Sequence, residues 1–319
     1  MFNYAISKRM KEITNTILMI EPVSFRFNEQ TAVNNFYQKS LSNYRIEEIQ
    51  SLALNEFNNF VKILESAGIN VIKIKDTKSP ETPDSIFPNN WISFHEDGSV
   101  FLYPMYAVNR RLERRKDILD ILIKKYNFQI NKINDFTDFE LKNSFLEGTG
   151  SMVLDRKNKV CYASISERTD ENLVNKWCNE TKYLPVTFTS RQNFNNLRER
   201  IYHTNVMMCV ADKYVIICLD SIDLLEERKL VINQLRKNGK KIIEISEFQK
   251  NSFAGNMLQV KGDKNYLVMS DSAYSSLSVE QIKDIESFND ILSVPLEIIE
   301  TLGGGSARCM MSEVFLPIK

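Results

Sequence analysis

Imidazole is scarce in this sequence: 319 residues contain two histidines, His95 and His203. Any chemistry that needs a histidine must choose between them. Cysteine is scarce too, with five residues (Cys161, Cys178, Cys209, Cys218 and Cys309) and no CxxC pair. Neither a disulfide framework nor a zinc site is expected from that set, so no metal and no cofactor is assigned. Charge of one sign is missing as well, because 41 basic residues face 41 acidic ones. No global field is available to hold a polyanion or an anionic bilayer, which argues against nucleic acid and membrane as partners. The N-terminal stretch lacks an apolar run long enough for a signal-peptide core, and nothing approaches the ~20 apolar residues of a membrane span. A cytoplasmic protein is expected, acting on a small molecule, with a homo-oligomer left open.

Hydrophobic residues make up 43% of the chain, enough to exclude disorder as the default. The densest basic run, Arg110 to Arg115, follows a helical pattern with Glu113 inside it. It reads as a solvated helix face from which one arginine can turn inward.

Period-2 runs joined by tight turns recur along the chain and predict four hairpins: Trp91 to Met105, Ser151 to Ile165, Thr204 to Leu219 and Asn256 to Ser270. Their turns fall at Asp97-Gly98, near Lys157-Asn158, at Ala211-Asp212 and at Gly262-Asp263. A helical pattern and a further strand follow, as in Arg110 to Tyr126 before Phe128 to Ile133, giving a ββαβ unit. Half a hairpin remains at each end, Ile17 to Phe25 and Met311 to Pro317. Paired, they complete a fifth unit, and an array closed in this way forms a ring without free strand edges. The expectation is an α/β propeller of five ββαβ units about a pseudo-five-fold axis, with residues 1–16 a leader and residues 17–319 one catalytic domain. Residues 27–44 and 78–88 fit neither hairpin nor helix and read as loops over one face of the ring.

A polar residue heads each hairpin: Asn90, Glu147, His203 with Asn205, and Asn256, with Cys309 before the closing strand. The spacings between successive heads are 57, 56, 53 and 53 residues. Equivalent positions in a ring face the same end of its axis, so a carboxylate, an imidazole, a thiol and several amides should converge. Four of the cysteines lie in apolar runs and read as small buried hydrophobes. Cys309 instead follows Gly303-Gly304-Gly305-Ser306-Ala307-Arg308, a loop whose backbone N–H groups suit a nucleophilic sulfur. His95, beside Glu96 and Asp97, is expected at the surface, which leaves His203 as the base. Glu147 stands where a carboxylate would orient and charge that imidazole.

Four segments carry a resemblance: Phe87-Pro88-Asn89-Asn90-Trp91, Glu147-Gly148-Thr149-Gly150-Ser151, Tyr202-His203-Thr204-Asn205, and Gly303 to Met310. Together they resemble the motif set of the guanidino-modifying enzymes, a superfamily of deiminases, amidinotransferases and dihydrolases with the pentein fold. With Asn28-Glu29-Gln30-Thr31-Ala32-Val33-Asn34-Asn35 added, the set is most similar to the citrulline-utilisation hydrolase branch. The resemblance implies Cys309, His203 and Glu147 as catalytic residues and Asn90, Asn205, Asn35 and Asn256 as substrate-binding residues. It also implies a substrate-carboxylate role for Arg110 or Arg111, with Arg191 and Arg308 as weaker candidates. In the arginine deiminases carboxylates stand where Asn90 and Asn205 stand here. Two amides forgo ion pairing with a guanidinium and offer donors to a ureido oxygen. Hydrolysis of L-citrulline to ornithine, carbon dioxide and ammonia is therefore the first expectation. Arginine dihydrolase or deiminase activity is the alternative, and a non-catalytic binding module a second one.

Overall fold

The computed structural model describes residues 11–319; residues 1–10, most of the expected leader, lie outside the described residues. Five three-stranded sheets share one pattern, an antiparallel pair followed by a parallel third strand. Four run consecutively along the chain. The first joins Ile92–Phe94, Ser99–Leu102 and Lys132–Asp135, and the second Met152–Asp155, Val160–Ser164 and Leu184–Phe188. The third joins Met208–Val210, Tyr214–Ile217 and Lys241–Glu244, and the fourth Leu258–Lys261, Asn265–Ser270 and Asp290–Val294. The fifth combines the two ends of the chain. Thr16–Glu21 pairs antiparallel with Ser312–Glu313, with Ile17 opposite Glu313, and parallel with Asn70–Lys75.

A parallel third strand requires a crossover, and a helix supplies each one. These are Ile46–Ser66, Asp117–Tyr126, Glu171–Thr181, Leu225–Lys237 and Val279–Glu286. In the longest, Ile49, Ala53, Phe57, Phe60, Val61 and Leu64 recur at helical spacing and are all buried. Each large apolar side chain so covered contributes roughly 1.5–3 kcal/mol. No helix among the described residues is long and apolar enough to cross a membrane.

The helix expected over Arg110 to Tyr126 starts late, at Asp117, after a 3-10 helix over Val108–Glu113. That geometry nearly eclipses residues three apart, and here it turns Arg110 and Glu113 inward together. Both are buried and their side chains form a two-pronged ion pair at 2.9 Å, so the run is not a solvated helix face. His95 also departs from expectation. Alternation along the strand puts it on the same face as Ser93, so it enters the core while Glu96 and Asp97 take the turn. Its ring shares a 2.9 Å hydrogen bond with Ser93 and packs near Phe101 and Trp177; burial pushes its pKa down to about 3.

The segments 27–44 and 78–88 are loops apart from a helical turn at Glu29–Ala32 and the start of a 3-10 turn at Pro88. The first forms a strap across the glycine-rich loop near the C-terminus. The Asn35 side chain donates to the carbonyls of Gly303 and Gly304 at 3.3 Å, Gln38 to that of Leu302 at 2.9 Å, and the Lys39 backbone N–H to that of Thr301 at 2.7 Å.

Candidate active site

The residues that carry polar chemistry sit at strand entrances, where short helical turns interrupt the ladders. Asn90 closes the turn Pro88–Asn90, Glu147 caps Gly148–Ser151, and His203 caps Thr204–Val206. Cys309 lies in the loop after the helix Glu297–Gly303, whose C-cap Gly304 has φ +61°. Glycine takes that left-handed conformation at least cost, and a Cβ there would also collide with the Asn35 amide.

Asn256 donates to the Cys309 sulfur at 3.2 Å and Asn205 donates at 3.5 Å. Two N–H groups thus face the sulfur, placed to hold negative charge there. Asn256 also ties the loops together: its Nδ2 reaches the Asn205 carbonyl at 3.0 Å, and its Oδ1 accepts the Arg308 backbone N–H at 3.1 Å. The Oδ1 of Asn205 is buried with no hydrogen-bond partner among the described residues, an open acceptor two residues from His203.

His203 Nε2 bonds Glu147 Oε2 at 2.8 Å. Burial lowers the His203 pKa to about 4 despite the raising effect of Glu147. Burial alone would raise that of Glu147, but Arg168, the bond to His203 and Arg110 outweigh it and bring it down to about 2. The resting pair at neutral pH is a neutral imidazole and a carboxylate. With Nε2–H given to Glu147, the lone pair is on Nδ1. A Cβ on Gly150 would lie 2.7 Å from Nδ1 and 2.5 Å from Asn90 Nδ2, so the missing side chain leaves room between the two.

Cations and carboxylates converge beside this pair. Arg110 Nη1 donates to Asn90 Oδ1 at 2.8 Å and lies 3.9 Å from Glu147 Oε2. Arg168 reaches the same Glu147 oxygen at 3.5 Å, donates to the Thr31 carbonyl at 2.8 Å, and stands over the Tyr202 ring at 4.8 Å. Asp84 accepts from Asn28 and Thr31 through Oδ2, while its buried Oδ1 has no partner among the described residues; burial raises its pKa, opposed chiefly by Arg110.

Cys309, His203, Glu147, Asn90, Asn205, Asn256 and Arg110 therefore meet in one buried cluster. Asn35 touches it through the glycine loop. Arg111 lies apart, bonded to the Met105 carbonyl at 3.0 Å and half-buried near Glu140 at 3.5 Å. Arg191 donates across its hairpin to the Arg198 carbonyl at 2.9 Å, and Arg308 pairs with Glu313 at 2.9 Å. Sequence reasoning missed Arg168 and Asp84. Arg168 had a signal, since it follows the head residue Glu147 by 21 positions as Arg110 follows Asn90 by 20.

Cys309, His203 and Glu147 stand at the entrances to different sheets of one repeated pattern, and the class that fold and site match is the pentein, guanidino-modifying superfamily. A family model described as N,N dimethylarginine dimethylhydrolase, eukaryotic, matches residues 21–316, and the chain belongs to that family of hydrolases. No curated protein matches it. Among solved structures it is similar to ArgZ, an arginine dihydrolase from the ornithine-ammonia cycle in cyanobacteria, with a TM-score of 0.71 at 18% identity over 95% of this chain. The match spans 41% of full-length ArgZ. Its N-terminal domain, solved bound to substrate, is covered to 97% at a TM-score of 0.70 and 17% identity over 94% of this chain. A dimethylarginine dimethylaminohydrolase variant carrying an S-methyl-L-thiocitrulline adduct matches at a TM-score of 0.60 and 11% identity, over 94% of this chain and 99% of its own. At these identities the likeness is one of fold.

Proposed function

We propose that the protein is an arginine dihydrolase, taking both terminal nitrogens from L-arginine to give ornithine, carbon dioxide and ammonia. The observation that carries this reading is the neutral surround of Cys309. The amides beside the sulfur are Asn205 and Asn256, and Glu147 is committed to His203 and two arginines. An amide presents an acceptor to a guanidinium N–H and a donor to a ureido oxygen, so the product of a first hydrolysis is not expelled for want of a partner. The dihydrolase activity named for ArgZ supports the same choice.

In the first round His203 Nδ1 takes the Cys309 thiol proton and the sulfur bonds the guanidino carbon. The bond to a terminal nitrogen breaks, and ammonia leaves with the proton returned by His203. Water deprotonated by His203 attacks the same carbon, the C–S bond breaks, and a ureido group remains. In the second round sulfur attacks the ureido carbon and His203 protonates the departing δ-nitrogen. Water then opens the carbamoyl thioester on Cys309 to carbamate, which decomposes to carbon dioxide and ammonia. Glu147 holds the imidazolium in both rounds. The α-carboxylate lies against Arg168 and Arg110, and the open Asp84 oxygen takes the α-ammonium.

Hydrolysis of citrulline alone is the narrower reading favoured by Asn90 and Asn205 standing in place of carboxylates. Incubation of the pure protein with arginine, then with citrulline, separates the two. Ornithine with two ammonia per arginine is expected. Turnover of citrulline with arginine untouched overturns the dihydrolase assignment, and arrest at citrulline makes the protein a deiminase. We further propose that the five sheets ring a pseudo-five-fold axis, that residues 17–319 form one catalytic domain, and that the protein works in the reducing cytoplasm, where its five free thiols are at home.

A further inference from the structure

A cavity of about 480 Å3, within the size range of small-molecule sites, opens beside the strap and is lined by none of Cys309, His203 and Glu147. Phe36 and Tyr37 of the strap, Gln192 and Phe194 of the hairpin Arg191–Phe194/Leu197–Arg200, and Asn251 and Phe253 form its walls. Behind them lies Lys250, with 0% of its surface exposed. Its ammonium donates to Tyr37 Oη at 2.8 Å, Gln192 Oε1 at 3.0 Å and Asn251 Oδ1 at 2.8 Å. All three acceptors are neutral and all three line the cavity. Among the described residues no carboxylate pairs with Lys250, and burial lowers its pKa to about 8. A buried cation with no ion-pair partner is costly to keep, since the Glu247 carboxylate that acts on it is itself paired with Arg198, and an anion brought alongside would relieve that cost.

Gln192 sharpens the point. Because the ammonium holds its Oε1, its NH2 faces the other way, and that Nε2 is buried without a partner among the described residues. The cavity wall therefore offers an unfilled donor backed by a positive charge. The same cavity is lined by the exposed carboxylate of Glu297, and the Phe36 and Phe194 rings stack at 4.2 Å on its apolar side. We propose that this cavity is a second binding site, for a small zwitterionic amino acid whose carboxylate meets the free donor of Gln192, with the Lys250 charge behind it, and whose ammonium meets Glu297. The occupant rests on Tyr37, whose ring lies 6.4 Å from that of Tyr202, itself 4.6 Å from the His203 ring. It thus braces the strap over the catalytic cluster. None of this depends on which guanidino or ureido substrate is hydrolysed.

The probe is L-norvaline, a zwitterion with no side-chain group to hydrolyse, titrated calorimetrically into the whole protein. Pentanoate, lacking the ammonium, and norvalinamide, lacking the carboxylate, are the comparison arms. Norvaline should bind saturably, pentanoate more weakly and norvalinamide not at all. Gln192→Glu pairs Lys250 and removes the donor; norvaline affinity should fall at least about tenfold, the scale of a lost charge-assisted bond, without a lower Tm. Should that variant not fold, Lys250→Met provides the same reading. Arg168→Ala, which alters the catalytic cluster, should leave norvaline binding at this site intact. Absent saturable binding, unchanged affinity in folded Gln192→Glu, or loss of binding in Arg168→Ala alone overturns the site, and pentanoate binding as tightly as norvaline overturns its zwitterion preference.

Discussion

The two ends of the catalytic cluster differ in kind. At one end full charges meet: Arg110, Arg168, Glu113, Asp84 and Glu147 lie within ion-pair reach of one another in a region almost without solvent. At the other end Cys309 is surrounded by amides, with Asn205 and Asn256 on its sulfur, and Asn90 is held by Arg110. Charges in a dry site are selective and rigid, since an unmatched one costs several kcal/mol. Amides are forgiving, because each offers both a donor and an acceptor. The charged end is suited to the invariant part of an amino acid and to setting the protonation of the Glu147–His203 pair. The neutral end is suited to a carbon whose substituents change during the reaction.

Cys309→Ala should show the largest effect, a loss of at least ~10⁴-fold in kcat with the fold intact. Alanine keeps the Cβ and removes only the sulfur from this small buried site, so circular dichroism should be unchanged. Retention of a tenth of the activity would remove the covalent route. At the charged end, Arg168→Ala should raise KM for arginine and citrulline alike, with kcat/KM falling ~10²–10³-fold, because it strips one partner from buried Glu147 and from the substrate carboxylate. Unequal losses for the two substrates would show that the charged end also reads the reacting group.

The neutral end should respond selectively. Asn205→Asp places a carboxylate where an open acceptor now stands, and kcat/KM for arginine over citrulline should rise ~100-fold, about 2.7 kcal/mol. Asn90→Asp should move that ratio by less than ~10-fold, because Arg110 already bonds the Asn90 oxygen and would neutralise the new charge. Equal shifts from the two substitutions would contradict the geometry around Arg110. The pH profile tests how the two ends are joined. The base is neutral His203, whose pKa is lowered to about 4 by burial, so the acid limb of kcat/KM should fall near that value. Activity should survive as pH drops through 6.5, the ordinary imidazole value. The smallest effect is the last: EDTA should leave turnover unchanged, and loss restored by zinc would defeat the metal-independent mechanism.

Much of this site was legible in the sequence because a repeat turns spacing into position. Heads recurring every 53 to 57 residues put Glu147, His203, Asn205, Asn256 and Cys309 in equivalent places, and the structure brings them together. Pairing of the two chain ends followed from the same count, as the register of Ile17 with Glu313 shows. The charged end was legible only in part. Arg110 was one of two neighbouring candidates, and a charge run alone does not reveal which member turns inward. Asp84 lies in a loop with no period to place it, and its contacts come from Asn28 and Thr31, more than 50 residues upstream.

The sequence by itself determined the repeat, the pairing of the two chain ends and the convergence of Cys309, His203 and Glu147, since each depends on periodicity or on there being so few histidines and cysteines to choose from. The tertiary structure decided which charges are buried. Arg110 is drawn inward by Glu113, Asp84 and Glu147, His95 enters the core because strand alternation outweighs its acidic neighbours, and Lys250 is enclosed by its neighbour Asn251 and by Tyr37 and Gln192 from distant segments. Burial of a charge is settled by all the groups around it, and several of those groups lie far away in the chain.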